Sequence, residues 1–192
     1  MLYQELEKFV LSELEENLSP KLTYHGVHHT RDVLQVCIAY CERFQLNQED
    51  ATLLKAGALM HDTGFLYTYD EHEKKGVEIA ERILPRFEFS KKAIKIISGL
   101  IMATKVPQEP KTEMEKIICD ADLDYLGRDD FYHISESLFE ELKHFKGLTD
   151  RNKWNQIQVS FFESHQFHTD WAKKNRAPVK ALYLEELREM VK

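Results

Sequence analysis

The sequence predicts an all-α protein, a compact multi-helix bundle around one central buried helix. Apolar residues recur at three- and four-residue steps along almost the whole chain, the period of a helix face. Seven glycines and five prolines in 192 residues are sparse punctuation, which suits helices joined by short loops. Helix-capping side chains, namely Asn47, Ser90 and the pair Thr112 and Glu115, stand immediately before three of the apolar runs.

The first predicted helix spans Tyr3 to Leu18, with Leu6, Phe9, Val10 and Leu14 as its stripe and Ser19-Pro20 after it. A loop from Lys21 to His28 follows. The second helix runs from His29 to Phe44 and places His29, Val33, Val36, Tyr40 and Phe44 on one face. Asn47 caps the third, which carries the stretch ATLLKAGALMHDTG, Ala51 to Gly64. That stretch is apolar on most of its circumference, so it belongs in the middle of the fold. An extended piece, Phe65 to Asp70, leads into a helix from Glu71 to Leu84, which Pro85 stops. Ser90 caps a helix that ends at Thr104, and Lys105 to Lys111 is a loop containing two prolines. The capping box of Thr112 and Glu115 opens the helix holding IICDADLDYLG, with Gly127 as its C-cap. Three more helices follow: Asp130 to Phe145, Thr149 to His165, and Thr169 to Val191, the last broken or kinked at Pro178. No repeat, low-complexity tract or long linker divides the chain. The expectation is one domain over 1–192, with a motif core at 24–127 and C-terminal helices over 128–192.

The net charge of −7 argues against a protein built to grip nucleic-acid backbone, though not against a small phosphorylated substrate, because a bound metal reverses the local field. Three cysteines without a CxxC pair suggest neither a disulfide framework nor a zinc finger. The acidic, amphipathic start lacks the features of a signal peptide, and no run of about eighteen apolar residues offers a membrane span. The expected setting is cytoplasmic, without membrane attachment. Trp154, Phe161 and Trp171 suit either a core or a homodimer interface.

Four positions put a ligand-type side chain on a core-facing stripe. His29 lies on the apolar face of the second helix. His61 and Asp62 end the central helix, in line with Leu54 and Ala58. Asp122 follows Ile118 by one turn. Its neighbours Asp120 and Asp124 are expected to be solvated or capping. Taken alone, His61 and Asp62 read equally well as a hydrogen-bonded pair closing a helix. Two imidazoles and two carboxylates converging in one core make a divalent-metal site instead. Mixed nitrogen and oxygen ligation without thiolate fits Mn, Fe, Co, Ni, Mg or Zn, and does not choose among them.

The order His29, His61-Asp62, Asp122 resembles the H…HD…D signature of the HD superfamily of metal-dependent phosphohydrolases. YHGVHHTRDV (24–33), AGALMHDTG (56–64), CDADLDYLG (119–127) and EHEKKGVEIAERIL (71–84) resemble the family's local contexts in the right order. The tail, FFESHQFHTDWAKKNRAPVKAL, is similar to that of small stand-alone bacterial members. The resemblance implies an all-α domain and one divalent metal held by His29, His61, Asp62 and Asp122. It also implies metal-assisted hydrolysis of a phosphate ester or anhydride in a small phosphorylated substrate, foremost a nucleotide. Asp62 would ligate the metal and orient the attacking water. His25 matches the histidine that, in the related cyclic-nucleotide phosphodiesterases, gives a proton to the leaving oxygen. His72 stands where two-metal members carry an additional histidine. A second would be expected where this chain has Ala103 and Thr104, which favours one metal and leaves His72 as a neighbouring group or substrate contact. Lys105 is the basic residue placed best to meet phosphate. His133, His144, His165 and His168 have no ligand spacing. The alternative reading is a metal-binding HD scaffold without catalysis, acting as a sensor or interaction module.

Overall fold

A computed structural model of the chain describes residues 1–191; Lys192 lies outside the described residues. Among these there are ten α-helices and no strand: α1 (Tyr3–Asn17), α2 (Val27–Arg43), α3 (Gln48–Met60), α4 (His72–Ile83), α5 (Lys91–Ala103), α6 (Glu113–Asp122), α7 (Phe131–Lys146), α8 (Arg151–Ser164), α9 (Asp170–Asn175) and α10 (Ala177–Met190). The caps read from the sequence are formed. Asn47 accepts from the Asp50 amide, Ser90 from the Ala93 amide, and Thr112 and Glu115 satisfy each other's backbone reciprocally.

Helix α3 is the hub. It packs against α1, α2, α5 and α6, and everything from Leu53 to Met60 except Lys55 is buried. The main core includes Leu6, Tyr40, Leu54, Leu59, Ile97 and Ile118, drawn from α1 to α6. Each such side chain contributes about 1.5–3 kcal/mol by leaving water. A second core, with Tyr24, Leu126, Phe131, Phe162, Phe167 and Leu187, belongs to the C-terminal half. Polar ties join the halves. Asp120 accepts from the backbone amides of His168 and Thr169 at 2.7 and 2.8 Å. Asp124 takes Arg176 in a two-point grip at 2.7 and 3.0 Å. Among the described residues no helix is long and apolar enough to cross a membrane.

The structure corrects several local expectations. Asp120 and Asp124 are not solvated; both are almost fully buried by those partners. The stretch after Asp62 is not extended but turns at once into a 3-10 helix, Thr63–Leu66. Helix α6 stops at Asp122, and Gly127 ends a separate 3-10 turn, Asp124–Gly127. A Cβ at Gly127 would stand 2.6 Å from the Arg176 carbonyl oxygen, so the glycine serves close approach rather than a cap. The final segment is two helices, because Pro178 falls in the first turn of α10, where its missing N–H costs nothing.

The other glycine with a steric duty is Gly64, where a Cβ would lie 1.9 Å from the backbone oxygen of His72. This contact seats the start of α4 against the end of α3. Gly64→Ala is therefore expected to cost about 1–3 kcal/mol through forced backbone displacement, read as a lower urea midpoint. An unchanged midpoint would show that the turn and α4 do not meet this closely.

Candidate metal centre

The two cores meet where α3 and α6 end, and that seam is polar. His29 comes from the first turn of α2, on its buried face, His61 and Asp62 from the end of α3, and Asp122 from the last residue of α6. The Nε2 atoms of His29 and His61 are 3.4 Å apart. Asp122 Oδ1 lies 3.1 Å from the first and 3.6 Å from the second. These three residues present ligand atoms all within 4.8 Å of one another. Asp62 Oδ2 stands outside that set, although it is 3.6 and 3.2 Å from the same two nitrogens.

Donor chemistry makes this cluster fit a divalent cation. His61 Nδ1 donates to the Ala58 carbonyl at 2.8 Å, which leaves Nε2 facing the cluster. Asp62 Oδ2 is buried without a hydrogen-bond partner. A buried, unpartnered carboxylate oxygen is costly unless a cation meets it. Neighbouring ligands around an octahedral ion with bonds of about 2.1 Å stand on the order of 3 Å apart, close to the spacings among His29, His61 and Asp122. Without such an ion the charges lean on one another. Burial works against a charged His61, but Asp62 and Asp122 outweigh it and hold its pKa up at about 9. Burial likewise opposes an ionised Asp62, yet His61 and His72 hold its carboxyl well below the usual range.

His72 stands beside the cluster, its Nε2 3.4 Å from Asp62 Oδ1 and 3.6 Å from Glu73. Its ring stacks on Phe65, which also stacks on His25. His25 therefore faces the same space, in a cavity of about 550 Å³ that Asp62, His72 and Asp122 also line. The remaining expected residue, Lys105, is at the mouth of that cavity, bound to Glu71 at 2.6 Å. Thr104 is not a spare ligand, since its hydroxyl donates to the Ile101 carbonyl. His165 and His168 are far along the chain in the C-terminal half; burial lowers the His165 pKa to about 3.

Sequence reasoning missed Glu141. This carboxylate is fully buried and accepts four hydrogen bonds: from the amides of Tyr24 and His25, from His25 Nδ1 at 2.5 Å, and from the Tyr69 hydroxyl at 2.9 Å. The signal was present, because Glu141 interrupts the apolar stripe Ile134, Leu138, Phe145 of α7 at helical spacing. Burial raises its pKa, but the His25 ring and the two amides outweigh burial and hold it below the usual range. A carboxylate with a depressed native pKa stabilises the fold above its unfolded pKa and loses that contribution as pH falls through the native value. Glu141→Gln should thus lower the urea midpoint at neutral pH, with the gap to the parent closing below pH about 4.5. A gap independent of pH would mean that the charge of Glu141 plays no part.

Comparison with known proteins adds one finding. A family model described as HD domain matches residues 26–124, just over half of the chain and the span that contains all four clustered residues. No curated protein and no solved structure gives a significant match.

Proposed function

The chain belongs to the HD-domain family, and from that premise we propose that it hydrolyses the phosphate ester or anhydride of a small phosphorylated molecule, foremost a nucleotide, with one divalent metal ion. The observation that carries this reading is the convergence of His29, His61 and Asp122, with the buried, unpartnered Asp62 Oδ2 beside both imidazoles. These four residues would hold the metal. When bound there, a divalent cation supplies Lewis acidity toward a phosphoryl oxygen and makes water acidic enough to attack near neutral pH.

The chain's own groups do the rest. The Ala58 carbonyl holds His61 Nδ1, so Nε2 is aimed into the cluster and becomes the ligating atom when its proton is displaced. Asp62 uses one oxygen toward the imidazoles and the other toward His72, and so can align the attacking water. His25 is the proposed proton donor to the leaving oxygen. Glu141 accepts from its Nδ1, which leaves Nε2 to carry the transferable proton. Glu141 is a positioning residue: it ties that ring to the backbone of Tyr24 and His25 and to Tyr69. A single metal is favoured because Thr104, at the place of a second additional histidine, already spends its hydroxyl on Ile101. A small molecule rather than a polymer is favoured by the net charge of −7 and by a cavity of about 550 Å³. The cytoplasm and a single domain over the whole chain are parts of the same reading.

Elemental mass spectrometry of the purified protein is expected to give about one divalent ion per chain, and Asp122→Ala and Asp62→Ala each to lose it. Turnover of a phosphodiester and nucleotide panel with manganese should fall by about 100-fold or more in both variants, since even groups behind the ligands are worth 10–100-fold. Metal retained in Asp62→Ala would mean that the centre lies elsewhere; metal without turnover of any compound would favour the scaffold reading. His25→Ala is expected to keep the metal while kcat falls about 10²–10⁴-fold. An unchanged kcat would remove His25 from the chemistry.

A further inference from the structure

The cavity is much larger than a phosphoryl group requires. At about 550 Å³ it falls within the roughly 300–1,000 Å³ of pockets that enclose a whole small molecule. Its lining combines two chemistries. Asp62, His72, Glu73 and Asp122 supply one. The other is the apolar wall of Phe131, Leu138 and Leu142 from α7 and of Trp154, Phe161 and Phe162 from α8. The α7–α8 wall lies beyond residues 26–124, which carry the family match, so it belongs to this chain's own selectivity.

This apolar wall contains one polar pair. Ser135 donates to Gln158 Oε1 at 2.5 Å, and both side chains are buried. The Gln158 amide nitrogen makes only a long 3.4 Å bond to Asn155, so its donor capacity is not exhausted. The charges at the mouth point the same way. The two lysines that line the cavity, Lys105 and Lys146, are already bound to Glu71 and Asp70, which line it as well. Asp62, Glu73 and Asp122 add further negative charge. A cradle for several phosphates would need free cationic groups, and here each lining lysine is matched by an acid.

Building on the phosphohydrolase reading, we infer that the substrate bears a single phosphoryl group on an apolar ring system. The ring is enclosed between α7 and α8, Ser135 and Gln158 make the polar contact that selects it, and di- and triphosphates are turned away.

Phosphonates test this independently of turnover, because they are not hydrolysed. With the manganese-loaded protein in a calorimeter, phenylphosphonate should bind at least about tenfold more tightly than methylphosphonate, by burial of the ring. Ser135→Leu, which fills the pocket and strips Gln158 of its donor, should bring that ratio to about one. Leu138→Trp serves as a second filling variant should the first not fold. In parallel, AMP should release phosphate at least about tenfold faster than ADP or ATP, with metal in excess over nucleotide. Equal binding of the two phosphonates, or ATP turned over as fast as AMP, would overturn the inference while leaving a phosphohydrolase. A ring preference without turnover of any ester would support the pocket and count against the phosphohydrolase reading instead.

Discussion

Two imidazole nitrogens and two carboxylates, mostly buried and separated by 3.1 to 3.6 Å along each nitrogen–oxygen edge, cannot sit together as bare lone pairs. Either protons or a cation must neutralise them. The surrounding structure is arranged to present these groups and to resist their separation. Helix α3 carries two of them to the middle of the fold, and its Ala58 carbonyl decides which nitrogen of His61 faces the cluster. The α2 and α6 helices pack on α3 and bring His29 and Asp122 to the same point. Removing any of these packing contacts would loosen the cluster, because no single helix supplies more than two of its members.

The seam between two cores explains why such a polar group is tolerated. The N-terminal core and the C-terminal core are each apolar; Trp171 packs against both, and ionic and capping bonds tie them further. Asp120 is spent on the chain entering α9, and Asp124 on Arg176. Asp122, lying between them in sequence, is left for the cluster. Three acids within five residues thus have three different duties, set by which way each Cβ points from the end of α6 and the turn after it. The same seam opens into the cavity, so the groups that bind and the groups that select share one wall.

Much of the fold was legible because its signals are local. Helical periodicity and three capped helix starts marked the elements from α1 to α6 closely, and Leu54, Ala58, His61 and Asp62 announced the polar end of a buried helix. The misreadings fall where a distant residue decides. Asp120 and Asp124 read as solvated or capping acids, and their burial appears only when the chain some fifty residues later folds over them. Gly127 read as a cap until Arg176 arrived against it. Glu141 was passed over because its partners, Tyr24, His25 and Tyr69, are all far away in sequence.

By itself, then, the sequence determined the helical class, the central helix and the set of imidazole and carboxylate groups on inward stripes, since each depends on residue type and spacing over a turn or two. Only the tertiary structure decided that Asp62 and Asp122 both meet the imidazole pair, that Glu141 holds His25, and that α7 and α8 enclose an apolar pocket beside them. Those outcomes depend on the packing of helices distant in the chain, and no local pattern encodes where two such helices will meet.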